Sequence, residues 1–260
     1  MDIAAYLQRI RYDGPIDSTA ATLQALHLAH MRAVPFENLD IPLGRPIILE
    51  EAALFDKIVT RRRGGFCYEL NGLFAGLLRQ LGFKVTLLSA SVLKENGQFG
   101  PPYNHLVLWV KTAALGTAQK DAPPTDWLAD VGFGNSFQFP LRLNDTGEQK
   151  QPAGVYRLVA WDAEQTLMQQ KRDDRWQDRF IFLRSQCQLS DFAAMCRYQE
   201  TSPDSMFTQK RLCSIATPTG RVTLSDRKLL ITTDQKRQER ELTSDAEYQA
   251  VLAQYFQIFL

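Results

Sequence analysis

The sequence predicts an α+β fold of three successive lobes: a helical bundle, a mostly antiparallel sheet or barrel, and a mixed lobe of helices and strands. Three observations support this prediction. Apolar residues recur at helical spacing as far as residue 82, short β-rich runs follow to about residue 190, and both patterns occur over residues 191–260. We therefore place the domains at residues 1–83, 84–190 and 191–260.

The first lobe divides into amphipathic helices at Gly14-Pro15 and at Pro35, where the helical period is interrupted. A further helix begins near residue 66 and ends at Gly82, a residue typical of the position just beyond a helix. Its apolar positions are Leu70, Leu73, Phe74, Leu77, Leu78 and Leu81. Cys67 therefore lies in the first turn of this helix.

The second lobe is predicted from runs of strand length and composition. These runs are VTLLSASVL (85–93), HLVLWVK (105–111), WLADVGF (127–133), VYRLVAW (155–161), QTLMQQKR (165–172) and RFIFL (179–183). The segment 112–126 is rich in Ala, Thr, Gly and Pro and has no apolar period, so we expect a surface loop there.

The third lobe combines both kinds of pattern. We expect a short helix near 191–200, strands around 211–216 and 221–232, and a final amphipathic helix over 245–260.

Composition limits the kinds of partner. Thirty Lys and Arg residues against 29 Asp and Glu residues give a net charge of +1, which favours neither nucleic acid nor an anionic membrane. The chain opens without a secretory leader and contains no apolar run of about 20 residues, so we expect a cytoplasmic protein. Its four cysteines, at positions 67, 187, 196 and 213, show no CxxC spacing, which argues against zinc and disulfides.

The segment RRRGGFCYELN (61–71) makes Cys67 the first candidate functional residue. A lone cysteine usually packs as a small apolar side chain. At a helix N-terminus, however, the helix dipole and a nearby imidazolium would lower the pKa of the thiol and make it a nucleophile at neutral pH.

Histidine is scarce, with only His27, His30 and His105 available as a base. His105 opens an apolar strand, so its side chain emerges at a sheet end where it could meet a helix tip. A structural role at the sheet edge fits the same position. The HxxH spacing of His27 and His30 lacks further ligands, so we expect structural histidines and no metal site.

A carboxylate that orients the imidazole would complete the set. Asp130 ends an apolar strand in WLADVGFG, where a buried charge needs a partner. Asp126 is the competitor, but it adjoins Pro123-Pro124 and has the setting of an exposed turn. We therefore expect Asp130 to be the third member.

Together these blocks resemble the arylamine N-acetyltransferase family. The blocks are VPFENLDIPLGRPI (34–47), RRRGGFCYELNGLF (61–74), HLVL (105–108) and DVGFG (130–134), with looser likeness in SPDSMF (202–207) and GRVTL (220–224). The resemblance implies a helical bundle, a β-barrel and an α/β lid around a cysteine-protease-like core. It also implies that Cys67 is the nucleophile, His105 the base and Asp130 the orienting carboxylate.

The resemblance assigns further positions. Arg63 and Glu37 would pair and brace the active-site helix, although solvated surface charges fit the same residues. Phe133, Phe36 and Gly132 would line the acceptor pocket, although plain core packing would also explain Phe133. The stretch between His105 and Asp130 is longer than is usual for bacterial members, which bears on substrate preference.

The implied activity is acetyl transfer in xenobiotic metabolism. Acetyl-CoA, a co-substrate and not a bound cofactor, acylates the cysteine, and a small aromatic amine, hydrazine or N-hydroxyarylamine then takes the acetyl group. No metal or redox cofactor is needed. A papain-like or transglutaminase-like hydrolase or amide synthase is the alternative, because the Cys–His–Asp order also serves those enzymes. A non-catalytic ligand-binding protein with the same cleft is a third interpretation.

Overall fold

The structure is a computed structural model that describes residues 1–113, 125–234 and 236–260. Seven α-helices lie in this part of the chain, two of which continue in a π-helical turn. They are α1 (Ile3–Arg9), α2 (Ala20–Ala33), α3 (Glu51–Phe55, continued over Asp56–Thr60), α4 (Cys67–Gln80), α5 (Ala193–Thr201), α6 (Met206–Gln209) and α7 (Asp245–Val251, continued over Leu252–Phe256). A 3-10 turn, Leu189–Phe192, precedes α5.

Helix α4 is buried on nearly all sides, which explains its high apolar content. Tyr68, Leu70, Leu73, Phe74, Leu77 and Leu78 are fully buried. They pack in one core cluster with residues of α1, of α2 and of the first two strands of the barrel, Lys84–Val92 and His105–Lys111. The helix therefore forms the contact between the bundle and the sheet, and its first residue lies at that contact.

Eight antiparallel strands form a nearly closed barrel. They are β2 (Lys84–Val92), β3 (His105–Lys111), β4 (Asp126–Ala129), β5 (Leu141–Arg142), β6 (Gln149–Gln151), β7 (Gly154–Ala160), β8 (Gln165–Arg172) and β9 (Arg175–Cys187). Their order is β5-β4-β3-β2-β9-β8-β7-β6. In the β2–β3 pair Ala90 lies opposite His105, and in the β3–β4 pair Leu108 lies opposite Ala129. The chain leaving β4 therefore runs back towards the beginning of β3.

A second, five-stranded antiparallel sheet joins the two ends of the chain. Its strands are β1 (Phe36–Glu37), β10 (Leu212–Thr217), β11 (Gly220–Ser225), β12 (Lys228–Thr233) and β13 (Lys236–Glu241), in the order β1-β10-β11-β12-β13. Strand β1 pairs with β10 through Phe36 opposite Ser214 and Glu37 opposite Cys213. The first lobe thus supplies an edge strand to the sheet of the third.

The predicted α+β architecture is confirmed, while several element boundaries differ from the prediction. The run 221–232 is a hairpin and not one strand, because the chain turns at Asp226, which has a φ of 49°. The final helix ends at Phe256, since Gln257 adopts a left-handed conformation. The run 127–133 stops being a strand at Ala129. The expected surface loop lies largely outside the described residues, which resume at Thr125.

In the described part of the chain, no helix combines the length and the apolar character required to cross a bilayer.

Candidate active site

Cys67 is the first residue of α4 and is 4% exposed. The helix begins here because the Glu69 carboxylate turns back and accepts a 3.0 Å hydrogen bond from the amide of Phe66. The preceding Gly65 is required by close packing, since a β-carbon there would lie 2.8 Å from Glu69 Oε2. The two glycines before the cysteine therefore belong to a tightly packed helix start.

His105 and Asp130 form a buried hydrogen-bonded pair. Nε2 of the imidazole lies 2.8 Å from Asp130 Oδ2, and both side chains are almost completely buried. The antiparallel register explains the contact, because Asp130 directly follows β4 and His105 begins the neighbouring strand. The pairing leaves Nδ1 of His105 pointing away from the carboxylate.

Cys67 lies against the same strand. The backbone of Leu106, the residue after His105, acts on its thiol, and so does the charge of Asp130. Burial, followed by the negative charge of Asp130, raises the pKa of Cys67 well above its ordinary value. Burial therefore opposes the thiolate that the helix N-terminus was expected to favour.

Asn71 fixes Asp130 to α4 and was missed by the sequence prediction. Its Nδ2 donates to Asp130 Oδ1 at 2.9 Å and to the Leu106 carbonyl at 2.7 Å, while its Oδ1 accepts from the Val131 amide at 2.9 Å. It lies one helical turn after Cys67, so it faces the same side of the helix. That spacing is the signal that could have identified it.

His27 holds Asp130 from the other side. Its Nε2 accepts a 3.2 Å hydrogen bond from the Asp130 amide, and its Nδ1 lies 2.8 Å from the Gln138 carbonyl, to which it donates. Both bonds fit a neutral imidazole, and burial lowers the pKa of His27 to about 4. His30 instead contacts the Tyr6 hydroxyl at 3.0 Å. No group of three or more metal-ligating side chains occurs in the residues described.

The predicted pocket residues lie close to this centre. Gly132 packs against the backbone of Cys67, and its amide donates to Asp130 Oδ1 at 2.9 Å. Phe133 is half-buried, with its ring centroid 5.2 Å from that of His105 in an edge-to-face arrangement. Phe36 is buried beside Gly134, on the far side of the same turn. Their contact with an acceptor stays a prediction.

Arg63 and Glu37 form the expected ion pair, and both are buried. Arg63 Nε donates to Glu37 Oε1 at 2.9 Å, and a second guanidinium nitrogen lies 3.1 Å from Asp40 Oδ1. Although burial alone would lower it, the charges of Glu37 and Asp40 raise the pKa of Arg63. Glu37 belongs to β1, so this pair connects the second sheet to the segment leading into Cys67.

The pair continues into a longer chain of buried charges. Lys57 Nζ lies 2.7 Å from Asp40 Oδ2 and 2.7 Å from Glu69 Oε1. Burial raises the pKa of Glu69, while Lys57 holds it down in part. Since Glu69 also binds the Phe66 amide, five charged side chains brace the start of α4. The sequence identified only Arg63 and Glu37 among them.

Asp126, the alternative carboxylate, does not belong to this centre. Asp126 Oδ1 accepts from the indole of Trp109 at 2.9 Å, near the other end of β3. Arg61 pairs with Asp56 on the surface, in agreement with a solvated charge. All four cysteines are buried free thiols.

Comparison with known proteins assigns this arrangement to a family. A family model described as N-acetyltransferase matches residues 19–260. The arylamine N-acetyltransferase / N-hydroxyarylamine O-acetyltransferase of Salmonella typhimurium is 36% identical over 224 residues, covering 85% of this chain and 76% of that protein.

Solved structures agree. The arylamine N-acetyltransferase of M. tuberculosis superposes with a TM-score of 0.89 at 33% identity, covering 99% of this chain and 93% of that one. The arylamine N-acetyltransferase of Mycobacterium marinum in complex with CoA gives a TM-score of 0.89 at 32% identity, with the same coverage of 99% and 93%. The predicted cysteine-protease-like core is confirmed by this likeness.

Proposed function

The chain belongs to the arylamine N-acetyltransferase family, whose members are acyltransferase enzymes, and we propose that it transfers the acetyl group of acetyl-CoA to an aromatic acceptor through Cys67. The acceptor is an arylamine, an arylhydrazine or an N-hydroxyarylamine. The observation that carries this proposal is the 2.8 Å contact between His105 Nε2 and Asp130 Oδ2, because it leaves Nδ1 to exchange a proton with the thiol. CoA in the M. marinum relative supports acetyl-CoA as the donor.

In the first half-reaction Cys67 attacks the thioester carbonyl of acetyl-CoA while His105 Nδ1 accepts the thiol proton. A carbon–sulfur bond to Cys67 forms, the bond to the CoA sulfur breaks, and the imidazolium returns the proton to CoA. Because burial raises the pKa of Cys67, loss of its proton depends on His105. Asp130 stabilises the imidazolium that results.

In the second half-reaction the amine nitrogen of the acceptor attacks acetyl-Cys67. A carbon–nitrogen bond forms, the carbon–sulfur bond breaks, and the amine proton passes by way of His105 to the departing thiolate. Backbone amides at the start of α4 bind the oxyanion in both steps, since those of a helix N-terminus are unpaired within the helix. Phe133 and Phe36 are the proposed aromatic walls that hold the acceptor ring and exclude water.

The test is to mix the protein with acetyl-CoA alone, quench at intervals, and measure released CoA before adding an arylamine. We expect a burst of about one CoA per site, slow release afterwards, and rapid turnover once the acceptor is present. Initial rates over both substrates should give parallel double-reciprocal lines.

Cys67→Ala should abolish both the burst and turnover, while Cys187→Ala, which removes another buried thiol, should keep both. Equal CoA release with and without acceptor would instead indicate a hydrolase. No burst with the folded wild-type protein would contradict acetyl-CoA as the donor and favour the amide-synthase alternative.

A further inference from the structure

An open cleft of about 510 Å³ lies at the end of the barrel next to the proposed reaction centre. It is lined by residues 92–95, by Phe133 and by residues 176–179. Phe133 borders both this cleft and His105, since its ring lies edge-to-face with the imidazole at a centroid distance of 5.2 Å. A ring that enters the cleft along the edge of Phe133 therefore approaches the imidazole.

Arg179 enters this cleft because of an irregularity in the barrel. In the β8–β9 pair Met168 lies opposite Phe180 and Gln169 lies opposite Asp178, so Arg179 is an extra residue on β9. A β-bulge of this kind changes the direction of a side chain relative to regular alternation. The Arg179 guanidinium carbon lies 5.2 Å from the centroid of the Phe133 ring.

The guanidinium group has no anionic partner among residues 1–113, 125–234 and 236–260. Its Nε is buried without a hydrogen-bond partner, and one terminal nitrogen makes a long 3.4 Å bond to the Asn135 carbonyl. Asp178 is engaged by the Gln169 amide at 2.6 Å. Burial lowers the pKa of Arg179, and the like charge of Arg172 lowers it further.

A half-buried cation without a counter-ion costs free energy that the fold does not recover locally. A ligand that supplies the missing negative charge would offset this cost. A guanidinium group offers two parallel N–H donors, which match a carboxylate in a bidentate arrangement, and its face stacks on aromatic rings. Arg179 presents both properties beside Phe133.

We propose that Arg179 determines acceptor specificity by binding a carboxylate substituent on the aromatic ring of the acceptor. The ring lies against Phe133, the carboxylate meets the guanidinium group at the outer end of the cleft, and the amine points towards Cys67. This inference rests on the proposed acetyl transfer. The phosphates of CoA have the same anionic chemistry, so the test separates the two sources.

The experiment compares 4-aminobenzoate with 4-aminobenzamide, which has the same shape without the charge. For each, kcat/KM is measured with saturating acetyl-CoA for the wild type, Arg179→Gln and Arg179→Lys. We expect Arg179→Gln to lower the benzoate-to-benzamide ratio at least tenfold. The ratio for Arg179→Lys should lie between those of the wild type and Arg179→Gln, because a lysine keeps the charge but loses the bidentate geometry.

Arg175→Gln is the matched control, since Arg175 is an exposed arginine on the same strand, and its ratio should equal that of the wild type. An unchanged ratio in active Arg179→Gln would overturn the proposal while leaving acetyl transfer intact. A rise in the KM for acetyl-CoA that disappears with 3′-dephospho-acetyl-CoA would assign Arg179 to the CoA phosphate and would also overturn it. Absence of turnover by the wild type with every acceptor would refute the proposed function instead.

Discussion

Gly132 lies directly against the backbone of Cys67: a β-carbon built on Gly132 would be 2.7 Å from the Cys67 α-carbon and 2.7 Å from Asn71 Nδ2. The turn that carries Asp130 and the helix that carries the thiol are therefore in van der Waals contact through a residue without a side chain. No larger residue fits without separating the two.

Replacement of Gly132 should consequently damage activity more than stability. Gly132→Ala must move the Asp130 turn away from α4, and we expect kcat/KM to fall at least about 10²-fold, since small misplacements of reacting groups have costs of that order. The measurement is steady-state kinetics together with thermal unfolding. Gly76→Ala, in α4 but facing the flexible ends of Met1 and Glu51, is the control and should keep activity. Normal kinetics in Gly132→Ala would show that the contact is not needed.

Asp130→Asn should prevent the imidazole of His105 from acting as a base, while the fold is retained. The remaining oxygen can still accept from Asn71 and Gly132, but the new amide nitrogen faces His105 Nε2 and forces the proton onto Nδ1. A protonated Nδ1 cannot accept the thiol proton, so we expect kcat to fall by about 10² to 10⁴. Alkylation of Cys67 by iodoacetamide between pH 6 and 8 should slow in parallel. Unchanged alkylation would exclude Asp130 from the proton path.

The buried His27 should make stability depend on pH. Its pKa is about 4 in the fold against about 6.5 in an unfolded chain, so the unfolded state binds the proton first as the pH falls. The contribution of His27 is fully present above pH 6.5 and is lost progressively towards pH 4. Between pH 7 and 5 the wild type should lose about 2 kcal/mol more than His27→Gln in urea unfolding.

An independent measurement applies if that variant does not fold. The imidazole NMR signals of His27 in the wild type should report a neutral ring at pH 5. A charged ring at that pH would contradict the assigned hydrogen bonds.

Lys57→Met should destabilise the protein in a pH-dependent way. Removing the cation leaves Asp40 and Glu69 buried with less compensation, and we expect a loss of about 3–5 kcal/mol at pH 8. The loss should shrink towards pH 5, because the raised pKa of Glu69 lets it take up a proton as the pH falls. Lys228→Met removes an exposed ion pair with Glu239 and should change the stability little at either pH, because solvent screens the pair. A loss of stability in Lys57→Met that is equal at pH 8 and pH 5 would refute this explanation.

The three main residues of the candidate site could be predicted from the sequence. Cys67 at a helix start, His105 at a strand start and Asp130 at a strand end are each unusual in their local context, and the structure brings them together. The same reasoning could not identify Asn71 or His27, because an amide inside a helix and a histidine on an apolar face are common. Their importance depends on partners that are distant in the chain.

The other features that the sequence did not predict also depend on contacts between distant parts of the chain. Strand β13, with the sequence KRQERE, is entirely exposed and shows no alternation of apolar and polar residues, so it carries no strand signal. Within residues 1–113, 125–234 and 236–260 it pairs with β12 alone, at the edge of the sheet. The bulge at Arg179 is likewise a property of two paired strands, and neither strand alone reveals it. Desolvation of Cys67 is also a tertiary effect.

The pairing of β1 with β10 has a consequence for biosynthesis. Strand β1 leaves the ribosome early, but its partner, Leu212–Thr217, follows only after about 170 further residues have been translated. At a typical rate of about 5–20 residues per second, Phe36 and Glu37 form these hydrogen bonds only after roughly 9–35 seconds. During that interval Glu37 and Arg63 lack the covering sheet. A nascent chain arrested before residue 212 should therefore display a protease-sensitive active-site helix, which full-length chains protect.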